Sequence, residues 1–238
     1  MDIEELNAAI ENAENGDVET GNNHAPRRRS GYYMLDGKDY VSVTTVLSVI
    51  AKPALTYWLQ KQVALAIIEG EATSPEQAIG AVKGKSKTRA QEGTDAHAVA
   101  EDYARGIMHP ENVYFAAIDS FFKTMRPEVI HTELVLFNLE HGYAGTCDML
   151  AKIGPYTFII DWKTSKAVYS DYWLQIEAYN HCSLAITKDG QRIAMKPADK
   201  TAVVLLRTDG TFDTVVVRGD FEVFLAAKKL YEWMNSSD

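Results

Sequence analysis

Apolar positions change their period along the chain, and the changes mark out the elements. Tyr32–Leu35 and Tyr40–Val43 are short apolar runs around Asp36-Gly37, a short-range hairpin signal. Helical spacing follows. Thr44 or Thr45 can cap a helix through Ile50, and Pro53 suits the first turn of a helix to about Glu69. Ser74-Pro75-Glu76-Gln77 opens a third, which Gly84 interrupts; a fourth covers about Lys87–Arg105 and a fifth about Asn112–Met125, stopped by Pro127. The pattern then reads as strands over Val129–Asn138, Tyr143–Ile153 and Tyr156–Lys163. A helix over 171–187, strands over 201–207 and 212–218 around Asp209-Gly210, and a terminal helix over 220–234 complete the chain. No internal repeat is present. This order predicts an α/β (α+β) fold, a central mixed β-sheet flanked by helices with an N-terminal helical region.

The expected organisation is one domain over 30–238, helical over about 44–127 and sheet-based over about 128–238. Residues 2–14 can form a short helix and 15–29 read as a mobile linker, so 1–29 is expected to be an acidic, flexible appendage. The chain of 238 residues is 46% hydrophobic and 24% charged, an ordinary globular composition. Its net charge is −9, but seven acids (Asp2, Glu4, Glu5, Glu11, Glu14, Asp17, Glu19) lie in 1–24 without a Lys or Arg. The body is near neutral and carries two basic clusters, Arg27-Arg28-Arg29 and Lys83, Lys85, Lys87, Arg89. That pattern is compatible with nucleic acid without demanding it. Two cysteines, Cys147 and Cys182, cannot make a four-thiolate zinc or iron–sulfur site and suit a reducing, cytoplasmic compartment. An acidic start and the lack of a long apolar run predict no signal peptide and no membrane span. A phosphate loop for ATP is also absent.

The informative chemistry lies in Gly142-Tyr-Ala-Gly-Thr-Cys-Asp148 and Asp161-Trp162-Lys163-Thr164. With Gly154-Pro155 as a two-residue turn, Ile153 faces Tyr156, and the same register sets Asp148 opposite Asp161. Lys163 shares the face of Asp161. Opposed carboxylates destabilise a sheet pair unless a cation lies between them, and Mg²⁺ or Mn²⁺ prefers such oxygens. Pairing alone leaves open a pair neutralised by Lys163 on a solvated face.

These residues resemble the PD-(D/E)XK nuclease superfamily, in its RecB-like exonuclease branch of phage and CRISPR-associated adaptation enzymes. The likeness rests on Gly93-Thr94-Asp95-Ala96-His97, Gly145-Thr146-Cys147-Asp148, Asp161-Trp162-Lys163-Thr164, and Gln175 followed by Tyr179, in that order over roughly 41–207. The iron–sulfur cysteines of some relatives are missing. The resemblance implies a restriction-endonuclease-like core and a Mg²⁺- or Mn²⁺-dependent DNA exonuclease serving recombination, repair or replication. His97, Asp148, Asp161 and the Trp162 carbonyl would be metal ligands. Lys163 would orient or deprotonate water and offset phosphate charge, with Gln175 and Tyr179 positioning Lys163 or the phosphate. Implied partners are single- or double-stranded DNA, a second copy of the chain or a recombination protein, in a bacterial or phage-infected cell. The alternative is an inactive nuclease-fold module that binds DNA or protein.

Several residues have competing readings. Glu101, one turn beyond His97, either supports the site or lies on a solvated face. Glu133 is an outer or second-metal carboxylate, or an exposed strand acid. Cys147 is expected in the core, on the face opposite Asp148. Lys83–Arg89 and Arg27–Arg29 either line DNA access or form solvated faces. Tyr57, Trp58 and Trp173 either stack on bases or pack in the core, and the core is favoured for each. His24, His109, His131, His141 and His181 are expected not to bind metal. The acidic tail is a candidate DNA mimic shielding the basic patches.

Overall fold

The computed structural model describes residues 27–236. The helix expected over 2–14, the acidic run and His24 lie outside the described residues.

The hairpin signal is realised as β2 (Tyr32–Leu35) and β3 (Lys38–Ser42), joined by Asp36 and Gly37 at φ 50° and 76°. Two consecutive positive φ values make the turn whose twist matches the flanking strands. Arg27–Arg29, expected as linker, instead forms a short strand β1 paired antiparallel to β2. Ser42 rather than Thr44 or Thr45 caps the next helix, accepting from Thr45 N at 3.1 Å. That helix, α1, is only Val43–Val46 and is followed by a 3₁₀ turn. Helix α2 spans Pro53–Ile68. Helix α3 runs unbroken over Pro75–Ala104, 30 residues, so Gly84 does not interrupt it. A glycine costs a helix interior only about 1 kcal/mol relative to alanine, too little to split a long helix. Helix α4 (Phe115–Met125) ends at Arg126, which takes a left-handed conformation before Pro127.

The sheet strands are β4 (Glu128–Asn138), β5 (Tyr143–Ile153), β6 (Tyr156–Lys163), β7 (Leu184–Ile186), β8 (Arg192–Ala194), β9 (Lys200–Leu206) and β10 (Phe212–Val217). Helix α5 is Ser170–Asn180, not 171–187, and α6 is Phe221–Asn235. The expected helix stops early because Asn180 Oδ1 accepts from Ala198 N at 2.7 Å and Ser183 N donates to Phe137 O at 3.1 Å. These distant partners draw Leu184–Ile186 onto β4 as an antiparallel strand.

The sheet is mixed. β3 pairs parallel with β5, β6 parallel with β9, and the remaining neighbours are antiparallel. Alternation along the inner strands serves two cores. Ile159, Val203 and Leu205 face Ile176, Tyr179 and Phe224 on one side; Ile160, Trp162, Ala202 and Val204 face Ala96, Ile118 and Phe121 on the other. The sheet is therefore sandwiched between helices, an α/β architecture. Among the described residues no helix is long and apolar enough to cross a membrane.

Strand β5 changes partner along one edge. Val41 and Ser42 pair with Tyr143 and Ala144, whereas β6 pairs with Met149–Ile153. The strands on that edge fork around Gly145–Asp148, and the side chains singled out from the sequence gather at the fork.

Candidate functional site

The 153–156 turn sets the predicted register, Ile153↔Tyr156 through Met149↔Ile160, with Gly154 at φ 59°. The ladder then ends one pair short of Asp148 and Asp161. Residues two apart on an extended strand share a face, yet Cys147 joins the core beneath α5 and Met149 the core beneath α3 and α4. The backbone turns over at Asp148. Across from it on β4, Glu133 is held at φ 53°, a left-handed conformation unusual for a non-glycine residue. The expected direct opposition of Asp148 and Asp161 is thus replaced by a different contact. Asp148 Oδ2 reaches across the fork to accept from Trp162 N at 2.7 Å, in place of a ladder carbonyl. In a strand the N–H and C=O of one residue leave on the same edge, so the Trp162 carbonyl also faces the fork.

Helix α3 brings His97 to the same place, with Nδ1 3.0 Å from Asp148 Oδ1. From β6, Asp161 is 2% exposed; its Oδ2 forms an ion pair with Lys163 Nζ, and its Oδ1 accepts from Gln175 Nε2 at 3.2 Å. Gln175 Nε2 also donates to Tyr179 OH at 2.9 Å. The Lys163 ammonium stands 4.9 Å over the Tyr172 ring. His97, Asp148, Asp161, Lys163, Gln175 and Tyr179 all line one cavity of about 460 Å³. Sequence reasoning named those six residues, and the structure assembles them from α3, β5, β6 and α5.

The electrostatics follow from burial of opposite charges together. Desolvation raises the Asp161 carboxyl, Lys163 pulls it back and Asp148 raises it again, leaving it above the ordinary range. Burial alone would lower His97 and Lys163, but Asp148 and Asp161 overcome it and hold both groups above their ordinary values. Burial pushes Tyr179 well up, so its hydroxyl stays neutral. Glu133 also lines the cavity and is pushed up to about 7, first by desolvation and then by Asp148 and Glu101.

Among the described residues, no three His, Cys, Asp or Glu side chains are gathered as a ready coordination set. Both carboxylates are turned to protein partners. The donor chemistry nevertheless suits a hard divalent cation: two buried acids, one imidazole and a carbonyl directed to the fork. Desolvation leads the upward shifts of Asp161 and Glu133, with Asp148 adding to each, and the Asp148 and Asp161 carboxylates hold His97 up against burial.

Other sequence readings resolve as follows. Glu101 is not on a solvated face: its carboxylate contacts Arg105 at 2.6 Å and Lys188. Cys147 is buried in the core as expected. Tyr57 and Trp173 are 68% and 43% exposed, so the core reading fails for both, while Trp58 lies beneath the Arg89 guanidinium at 5.0 Å. His109 and His181 pair with Asp102 and Glu177, outside the cavity. Sequence reasoning missed a hydroxyl wall of Tyr33, Ser42, Thr44, Thr94 and Thr146 around the carboxylates. Thr94 and Thr146 stand in the sequence motifs but carried no assigned role, and Ser-Val-Thr-Thr at 42–45 reads equally well as a helix cap.

No family model and no curated protein matches the chain. Among solved structures, the crystal structure of SSO0001 is similar over 98% of this chain and 85% of that chain, at 13% identity and a TM-score of 0.41. A likeness that distant bears on neither fold nor activity.

Proposed function

We propose that this chain is a metal-dependent deoxyribonuclease acting as an exonuclease in DNA recombination, repair or replication. The observation that carries the reading is the shared cavity of His97, Asp148, Asp161, Lys163, Gln175 and Tyr179. Chance offers no reason for two buried acids, a lysine and a histidine from distant elements to share one concave site.

His97, Asp148, Asp161 and the Trp162 carbonyl would hold Mg²⁺ or Mn²⁺. A cation bound there supplies Lewis acidity toward water and toward the scissile phosphate. The chain's own groups do the rest. Lys163, fixed by Asp161, places an ammonium in the cavity where negative charge on the phosphoryl oxygens would build in the transition state. Gln175 holds Asp161 in orientation and is itself held by Tyr179. Thr146 Oγ1 faces the cavity paired with Tyr33 OH at 3.0 Å, a hydroxyl pair that can turn toward phosphate oxygens. The family resemblance further implies a 5′-phosphate and a 3′-hydroxyl as products.

A second reading, a nuclease-fold module that binds DNA without cutting it, is favoured by one observation: Asp148 is engaged by His97 and Trp162 N, and Asp161 by Gln175 and Lys163. A time course on 5′- and 3′-labelled single- and double-stranded oligonucleotides in Mg²⁺, Mn²⁺ or EDTA separates the two. Metal-dependent cleavage that disappears in Asp161→Ala supports the nuclease; binding without cleavage supports the module.

A further inference from the structure

Helix α3 does more than deliver His97. Ala90, Gly93, Thr94 and His97 line the cavity, a spacing that defines one face of the helix. Followed toward the N-terminus, that face passes through Lys87 and Lys83, both exposed. At 1.5 Å per residue they stand about 15 Å and 21 Å along the axis from His97. The residues between are small: Ala90 and Gly93 leave the surface open, and a Cβ on Gly93 would already touch Thr164 Oγ1 at 3.5 Å.

The four cations of this segment are not equivalent. Lys85 pairs with Glu71 at 2.7 Å, and Arg89 lies over Trp58 of α2 at 5.0 Å. Those two pin α3 to α2 and its connecting turn. Lys83 and Lys87 have no ion pair among the described residues. The other end of the same face is electrically closed, because Glu101 takes both Arg105 and Lys188. Along this face of α3, surplus positive charge therefore lies on the N-terminal side of the cavity.

We infer that the α3 face is a backbone track for a nucleic-acid strand, with Lys83 and Lys87 each neutralising a phosphate of the portion that leads to the cavity. At roughly 3.4 Å of rise per nucleotide, 15–21 Å corresponds to about four to six nucleotides from the reacting phosphate. This deepens the nuclease reading and rests on it: the strand reaches the carboxylates from the α2–α3 side, not over Glu101.

The test is equilibrium binding of a labelled oligonucleotide of about 15 nucleotides, single-stranded and duplex, in EDTA across a salt series. For the double variant Lys83→Ala/Lys87→Ala, the expected slope of log K against log salt falls by about 1.4 on single strands, at about 0.7 per lost phosphate contact. Affinity near 100 mM salt should weaken on the order of tenfold. Lys85→Ala/Arg89→Ala should lower thermal stability and leave the slope alone. An unchanged slope in the first variant, or an equal fall in both, overturns the track. If the wild type cleaves DNA while the slope stays fixed, only the track is lost; if the wild type neither binds nor cleaves, the nuclease reading falls with it.

Discussion

His97 Nδ1 and Asp148 Oδ1 meet at 3.0 Å although 51 residues separate them. The contact joins α3 to the fork of the sheet, and Asp148 completes it by accepting from Trp162 N through its other oxygen. One carboxylate thus ties a helix, β5 and β6 together. Asp148→Ala leaves the buried Trp162 N–H without an acceptor and should cost about 1–3 kcal/mol of stability. Asp148→Asn keeps an acceptor oxygen and should cost less, while the proposed metal-dependent cleavage should be lost in both. Denaturant melts alongside cleavage assays check this; equal stability losses in the two variants would contradict the Trp162 role.

A second relationship fixes the chain from Asp161 to Tyr179. A Cβ built on Gly145 would sit 2.3 Å from Tyr179 Cε1, so the ring occupies the space that a side chain would fill. Gly145→Ala should displace Tyr179, release Gln175 from Asp161, and destabilise by about 1–3 kcal/mol. In the double variant with Tyr179→Ala the clash has no partner, and the two losses should fall short of additivity. A double-mutant cycle by urea denaturation reads the coupling, and strict additivity would refute it.

The parts of this molecule legible in the sequence are those set by local chemistry. Gly154-Pro155 dictates a two-residue turn, and the turn dictates a register carried through to Met149 and Ile160. What failed depends on distant partners. Nothing near Cys182 and Ile186 shows that Phe137 and Ala198 will stop the helix and turn Leu184–Ile186 into a strand. Likewise Asp148 was placed by extrapolating a ladder that its own side chain terminates. The hydroxyl wall was illegible because Tyr33, Ser42 and Thr146 meet only through the parallel pairing of β3 with β5.

Gly84 gives a clean measure of helix propensity. It lies exposed inside α3, and an added Cβ would meet nothing within 4 Å. Gly84→Ala should therefore stabilise the α2–α3 region by roughly 0.5–1 kcal/mol, through helix propensity and loss of unfolded-state freedom. Amide exchange over residues 75–92 should slow accordingly. No gain, or a loss, would show that this stretch of α3 is not helical in solution.

Glu133 makes the stability of the protein in EDTA depend on pH. Its carboxyl is pushed up to about 7 from an ordinary 4.5, chiefly by desolvation and then by Asp148 and Glu101, so the folded state prefers it protonated. Between these two values the folded chain holds more proton than the unfolded one, and stability must fall as pH rises. The contribution is full below about 4.5 and gone above about 7. Discounted for partial exposure, its size is about 1–2 kcal/mol. In EDTA, Glu133→Gln should melt higher than wild type at pH 8 and show little difference at pH 4.5, where the native carboxyl is already neutral. Glu133→Gly should gain further at both pH values, because glycine accepts φ 53° without the cost that a side chain carries there. A Glu133→Gln advantage that is the same at pH 4.5 and pH 8 would mean that the carboxyl is solvated and ionises normally, and that the strained backbone alone sets the cost at this position.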